Sequence, residues 1–309
     1  MRRTPRLLTA TLVALTLALA GCGSTPSATP TPTGSPADTF PVTVGGLTLS
    51  ERPDRIVVLS PSLTETVFAV DAGPQVVAVD GLSNYPSNVP KTDLSTFKPN
   101  AEAIAKHQPD LVLLSNDIDN VVAQLRTLNI PTMLLPYTKT LDEAYQQIND
   151  IGKLTGHTAA AQALAERMRS DIDKLIAEVP RRDRNLTYYY ELDATSFFSV
   201  TSNTFVGSLF TKAALVNIAD PAGKDGNDFP QLSAEYIIKA NPDLIFLANS
   251  KCCGQSWDTV SKRPGWGEIS AVRNRQVIAL DDDIASRWGP RIVDLLRAIT
   301  KAAAEAPVG

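Results

Sequence analysis

Few residues in this chain are equipped for chemistry, and they are scattered. Asp281-Asp282-Asp283 is a run of carboxylates that could hold a metal ion or exchange protons, and Cys252-Cys253 is a pair of adjacent thiols. The two histidines, His107 and His157, stand apart at expected helix positions, without the paired spacing of a zinc site. Neither a nucleophile elbow nor a glycine-rich phosphate loop occurs. The aspartate run is therefore expected to fix a loop, with one member facing a ligand, and neither catalysis, a metal nor a cofactor is expected. A carboxylate-dependent enzyme stays open as a remote alternative. The cysteines fall in a loop after a strand. Neighbouring Cα atoms lie closer than a disulfide prefers, so their oxidation state is left open.

The elements that must position these residues begin after a leader. Arg2, Arg3 and Arg6 precede an apolar run, Leu7 to Ala20, that is too short to span a bilayer. It closes on Leu19-Ala20-Gly21-Cys22, which resembles a bacterial lipoprotein cleavage site. Residues 1–21 are expected to be a signal peptide and Cys22 the acylated start of the mature chain. Residues 22–39 are nearly all Gly, Ser, Thr, Pro and Ala, a composition that buries nothing and reads as a tether. The expected location is the outer face of the cytoplasmic membrane, held there by lipid alone. The net charge of −4 becomes −7 once the leader arginines are gone, which argues against nucleic acid and against a polybasic membrane contact.

About 270 residues follow, more than one core usually organises. Buried-strand patterns at 55–60, 76–80, 110–115, 132–135, 186–192 and 276–280 alternate with helical patterns, so a parallel sheet is expected. Ser62-Leu63-Thr64-Glu65 reads as a capping box opening a helix to about Val70. Further helices are expected at 100–108, 118–128, 205–214 and 290–304. One segment occurs twice: NAEAIAKHQPDLVLLSN (100–116) aligns without gaps on SAEYIIKANPDLIFLAN (233–249), nine of seventeen positions being identical at a constant offset of 133. Between the copies, Leu164, Met168, Ile172, Leu175 and Val179 form one face of a long helix. The expected fold is α/β: two Rossmann-like lobes, each with a mostly parallel central sheet, at 40–155 and 181–309, joined by a single long α-helix at 156–180.

Five stretches together resemble a known family: RIVVLSPSLTET (55–66), SNYP (83–86), NAEAI (100–104) with Pro109-Asp110, PQLSAE (230–235) with Pro242-Asp243, and RWGPR (287–291). They are similar to the helical-backbone class of ABC-importer binding proteins, which includes cobalamin, haem and ferric-siderophore binders, and the likeness covers nearly all of the chain after the tether. The resemblance implies a monomer that holds a small-molecule ligand between its lobes and delivers it to permease subunits and their ATPase. It also implies that Glu102 and Glu235, paired by the repeat, dock to arginines of the permease.

The same resemblance places Tyr85, Phe97, Phe229 and Trp288 against a corrinoid, although Phe97 and Phe229 stand where larger indoles are expected. Asp283 falls on a ligand-contacting acid, and Arg287 is a further binding candidate. Haem binders of this class tend to carry a tyrosine ligand near the position of Phe97, which lacks the phenol. A ferric siderophore would require cleft cations, for which Arg287, Arg291, Lys98 and Lys251 are candidates. Cobalamin is the ligand these residues favour, with haem, a ferric siderophore and a purely structural envelope role as alternatives.

Overall fold

The computed structural model describes residues 38–307; Cys22, the leader and nearly all of the tether lie outside the described residues. The described residues open on a hairpin, β1 (Val42–Val44) and β2 (Leu47–Leu49), followed by β3 (Ile56–Leu59), α1 (Pro61–Ala69), β4 (Val76–Val79), α2 (Ala101–Ala105), β5 (Leu111–Leu114), α3 (Val121–Thr127) and β6 (Thr132–Leu134). Two long helices come next, α4 (Leu141–Thr155) and α5 (Thr158–Ala177). The second half contains β7 (Thr187–Glu191), α6 (Phe205–Lys212), β8 (Val216–Asn217), α7 (Ala234–Ala240), β9 (Leu244–Leu247), α8 (Ser250–Cys253), α9 (Trp257–Ser261), α10 (Ser270–Arg273), β10 (Val277–Ala279), α11 (Asp282–Ala285) and α12 (Ile292–Glu305).

The strands form two separate four-stranded sheets, β4-β3-β5-β6 and β8-β7-β9-β10, parallel at every pairing. Counted by appearance, the strand order is second, first, third, fourth in both. The repeat read from sequence is thus a repeat of architecture. In each lobe its Pro-Asp corner anchors the first strand to the third. Asp110 accepts from the backbone N–H groups of Asp54 and Arg55, each at 2.9 Å, and Asp243 accepts from that of Thr187 at 2.8 Å. The preceding helices start on equivalent caps: the Asn100 and Ser233 side chains accept from the N–H groups of Ala103 and Tyr236.

Strand chemistry explains the layers. IVVL, LVLL and LIFL are buried along their whole length because helices cover both faces of a parallel sheet. Alternate residues face opposite ways. Ile56, Val58, Leu111 and Leu113 share one continuous core with Tyr188, Tyr190, Leu244 and Phe246, bridged by Leu164, Met168, Ile172 and Leu175 of α5. Val57, Leu59, Val112 and Leu114 face a second cluster, and Tyr189, Ile245 and Leu247 a third. The connecting helix is packed on both lobes, so bending it would expose side chains that are already buried.

Several local expectations change. The helix α4 was not read from the sequence, although Thr140 and Glu143 form a complete capping box at its start. Its Gly152 lies so close to Ala161 of α5 that no Cβ fits between them. The helix expected at 118–128 is broken, because Asp119 and Asn120 adopt left-handed φ of 56°. The capping box expected at Ser62–Glu65 does not form: the cap lies two residues earlier, at Ser60, and the helix starts at Pro61. That leaves the Ser62 and Glu65 side chains free to bond across the lobe boundary.

Candidate functional site

In a parallel sheet, the loops that leave the carboxyl ends of the strands gather along one edge. Here they line a cavity of about 590 Å³ whose wall draws on both lobes. After β3 come Ser60, Pro61 and Ser62; after β4, Gly81, Leu82 and Asn84; after β5, Ser115 and Asn116; and after β6, Tyr137. Thr96 and Phe97 add a side wall, and the second lobe contributes Asp283, Ser286, Arg287 and Trp288 after β10. A cavity of this size suits a small molecule. A slightly larger one, about 660 Å³, lies around Gly45, Arg126, Pro131 and Met133, at the opposite, amino-terminal end of β6. It draws on one lobe alone and is not the cleft.

The apolar part of the wall is open. Leu82 is 54% exposed, Phe97 65% and Tyr137 42%. Tyr137 and Trp288 meet edge to face, with ring centroids 5.3 Å apart. Trp288 is positioned from the first lobe: its backbone N–H donates to Ser62 Oγ at 3.3 Å and its indole N–H to Gln147 Oε1 at 3.2 Å. Tyr137 is held from the second lobe, its Oη accepting from the backbone N–H of Phe205 at 2.8 Å. Burial holds the Tyr137 phenol above its ordinary pKa, against the lowering effect of that bond.

The polar part is a network across the lobe boundary. Glu65, 2% exposed, is the sole charge in α1. Its Oε1 accepts from Arg287 Nη1 at 2.6 Å and Arg291 Nη2 at 2.5 Å, and its Oε2 from Arg291 Nε at 2.9 Å. Arg287 also donates to Asn84 Oδ1, the Leu82 carbonyl and Asp283 Oδ1 at 2.9, 3.2 and 2.9 Å. Asp283 accepts in turn from Asn84 Nδ2 and Lys251 Nζ. Partial burial acts to raise the Asp283 pKa, but the bonds from Lys251 and Asn84 and the charge of Arg287 outweigh it and hold the carboxyl below its usual value.

The aspartate run divides its labour. Asp281 caps α11, accepting from the N–H groups of Asp283 and Ile284. Asp282 accepts from those of Lys251 and Cys252 and so fixes α8. Asp283 alone lines the cavity. Cys252 and Cys253, exposed on α8, are joined to each other by a disulfide.

Of the six residues expected at the ligand, Phe97, Asp283, Arg287 and Trp288 line this cavity, whereas Tyr85 and Phe229 do not. The Arg291 guanidinium lies 4.2 Å from the centre of the Tyr85 ring and covers one face, while the side chain stays 47% exposed. Phe229, 52% exposed, sits on the loop before α7 and is not part of the wall. Arg287 is 8% exposed and already bonded across the boundary. Lys98 is exposed and outside the wall. Glu102 and Glu235 are exposed in the first turns of α2 and α7. Each helix runs back from the carboxyl edge of its sheet, which puts both acids on the cleft side of their lobes. Sequence reasoning missed Tyr137, Asn84 and the partners of Glu65. One signal was present: Glu65 is a lone charge in an otherwise uncharged helix.

A family model described as periplasmic binding protein matches residues 56–284. An uncharacterized ABC transporter substrate-binding lipoprotein, YvrC of Bacillus subtilis, is 29% identical over 92% of this chain and 92% of its own length. A cobalamin-binding protein of Halobacterium salinarum is 30% identical over 92% of this chain and 81% of its own. Among solved structures, the periplasmic heme-binding protein RhuT of a Roseiflexus species superposes with a TM-score of 0.72 at 26% identity, covering 82% of this chain and 98% of that one. The periplasmic vitamin B12 binding protein BtuF of Vibrio cholerae gives 0.67 at 25% identity, with the same coverage.

Proposed function

Because the chain belongs to the periplasmic binding protein family, we propose that it is the extracytoplasmic solute-binding component of an ABC importer and that it carries a corrinoid such as cobalamin between its lobes. The observation behind this reading is the composition of the cavity wall. Exposed Leu82, Phe97 and Tyr137 offer apolar surface with Trp288 beside them, and the charged lining residues, Arg287 and Asp283, neutralise each other at 2.9 Å. Such a wall suits a large, flat, largely uncharged macrocycle, since aromatic rings bury much area at little entropic cost. It suits a ferric siderophore poorly, because an anionic chelate calls for unpaired cations.

Haem is the second reading, supported by the phenol of Tyr137 in the wall. A phenolate is the form that would bind iron, and the raised pKa of Tyr137 works against it. Absorbance spectra of the purified protein mixed with cyanocobalamin, haemin and a ferric siderophore discriminate the three. Saturable binding of cyanocobalamin alone is the expected result; a haemin spectrum that changes on Tyr137→Phe would transfer the assignment to haem.

Delivery belongs to the same proposal. Glu102 and Glu235, one per lobe, would align the protein on its permease, since charge pairs at a rim steer and orient more than they bind. Anchoring through Cys22, after removal of residues 1–21 and with residues 22–39 as tether, would keep a monomer beside that permease. Among the described residues no helix is long and apolar enough to cross a membrane. The N-terminal peptide of the membrane fraction, analysed by mass spectrometry, is expected to carry lipid on Cys22.

A further inference from the structure

Three cations of the second lobe converge on the acids beside the cavity, Arg287 in its wall and Arg291 and Lys251 next to it through the same acids, and each is paired. Arg291 is bound through two donors to Glu65, Lys251 is bound to Asp283 at 2.5 Å, and Arg287 lies between both acids, 2.6 Å from Glu65 and 2.9 Å from Asp283. The guanidinium of Arg287 is a rigid fork. Its two Nη atoms are already directed to Glu65, Asn84, the Leu82 carbonyl and Asp283, so it cannot turn to a ligand without giving up these bonds and leaving buried Glu65 to Arg291 alone. Glu65 is 2% exposed, and water cannot stand in for the arginines.

Stability alone is a weak reason for such a cluster. Desolvating a buried ion pair costs about as much as its attraction returns, and apolar residues of the same volume often do as well. What apolar residues could not do is hold the cations of the opposite lobe away from whatever enters the cleft.

We propose that Glu65 and Asp283 form an anion filter: by occupying Arg287, Arg291 and Lys251 they deny those cations to a ligand, so the cleft admits an uncharged macrocycle and rejects iron chelates with free carboxylates. The filter rests on the corrinoid reading of the same cavity and explains how one fold with cleft arginines is kept from binding citrate-like chelates. Glu65 is a positioning residue, since Arg287 and not Glu65 lines the cavity.

The test is Glu65→Gln, which keeps the shape and removes the charge. Ferric citrate and cyanocobalamin are each titrated by calorimetry into the wild-type and variant proteins. Wild type is expected to bind cyanocobalamin and to bind ferric citrate only weakly. The variant should gain at least about tenfold in ferric citrate affinity, the scale of one charge-assisted bond set free. The gain should shrink in high salt and disappear when Arg287→Gln is added. A folded Glu65→Gln protein whose ferric citrate affinity stays within about twofold of wild type overturns the filter, as does tight ferric citrate binding by the wild type. Should Glu65→Gln fail to fold by circular dichroism, Asp283→Asn decides: it releases Lys251 and one side of Arg287 at a more exposed position, and absence of the gain there is equally fatal. A wild type that ignores cyanocobalamin while the variant gains ferric citrate would leave the filter standing and remove the corrinoid reading.

Discussion

Phe97→Ala separates a ligand contact from a structural one. The ring is 65% exposed in the ligand-free protein, so most of its apolar surface is still to be covered. Fully burying a phenylalanine contributes about 1.5–3 kcal/mol. With about two-thirds of the ring open, cover by a ligand contributes about 1–2 kcal/mol, which corresponds to a Kd weakened about 5–30-fold. The remaining third contributes to folding no more than about 1 kcal/mol. Isothermal titration with cyanocobalamin reads the first quantity and thermal unfolding without ligand the second. Phe229→Ala is the comparison: that ring is also more than half exposed but lies outside the cavity wall, so its removal should weaken binding less. A Phe97→Ala protein that binds cyanocobalamin as wild type does, or whose unfolding temperature falls enough to account for the lost affinity, would refute the placement of the ring against ligand.

Reversing both rim charges, Glu102→Arg with Glu235→Arg, should abolish importer-dependent uptake in cells while the calorimetric Kd for cyanocobalamin stays unchanged; unimpaired uptake removes the docking role. Gly207→Ala should cost about 1–3 kcal/mol in denaturant unfolding, because a Cβ there meets the Thr201 carbonyl oxygen and lies 2.7 Å from Ser202 Cα. The carboxyl of Asp243 is pushed up by partial burial, but the bonds from Arg184 and Thr187 outweigh this and hold it below its ordinary 3.8. A depressed folded pKa stabilises fully above the unfolded value and is lost as pH falls through the folded one. Asp243→Asn should therefore melt at a lower temperature at neutral pH and lose less on acidification below about pH 4 than wild type does; parallel melting curves would contradict this.

The fold was largely readable because its signals are local or repeated. Buried strands announce themselves as apolar runs, the Pro-Asp corners and the Asn100 and Ser233 caps are short-range chemistry, and a constant offset of 133 ties the two halves together. The helix α4 is not among the expected elements, although Thr140 and Glu143 form a local capping box at its start. The site was readable only in part. Phe97, Asp283 and Trp288 were reached through resemblance and do line the cavity. Tyr85 was placed there too, yet it is not part of the cavity wall and one face of its ring lies against Arg291, a pairing no nearby residue signals.

Sequence by itself determined two like-built α/β halves, the helix between them and the strand ends along which loops must gather, since each follows from patterns within a few dozen residues or from their duplication. Tertiary structure alone decided which loops close on which. Glu65 meets Arg287 across 222 positions of chain and Arg291 across 226, and Trp288 reaches Gln147 across 141. A carboxylate carries no mark of the cation it will meet when that cation arrives from the other lobe, because the pairing is set by how two separate sheets are packed on one helix.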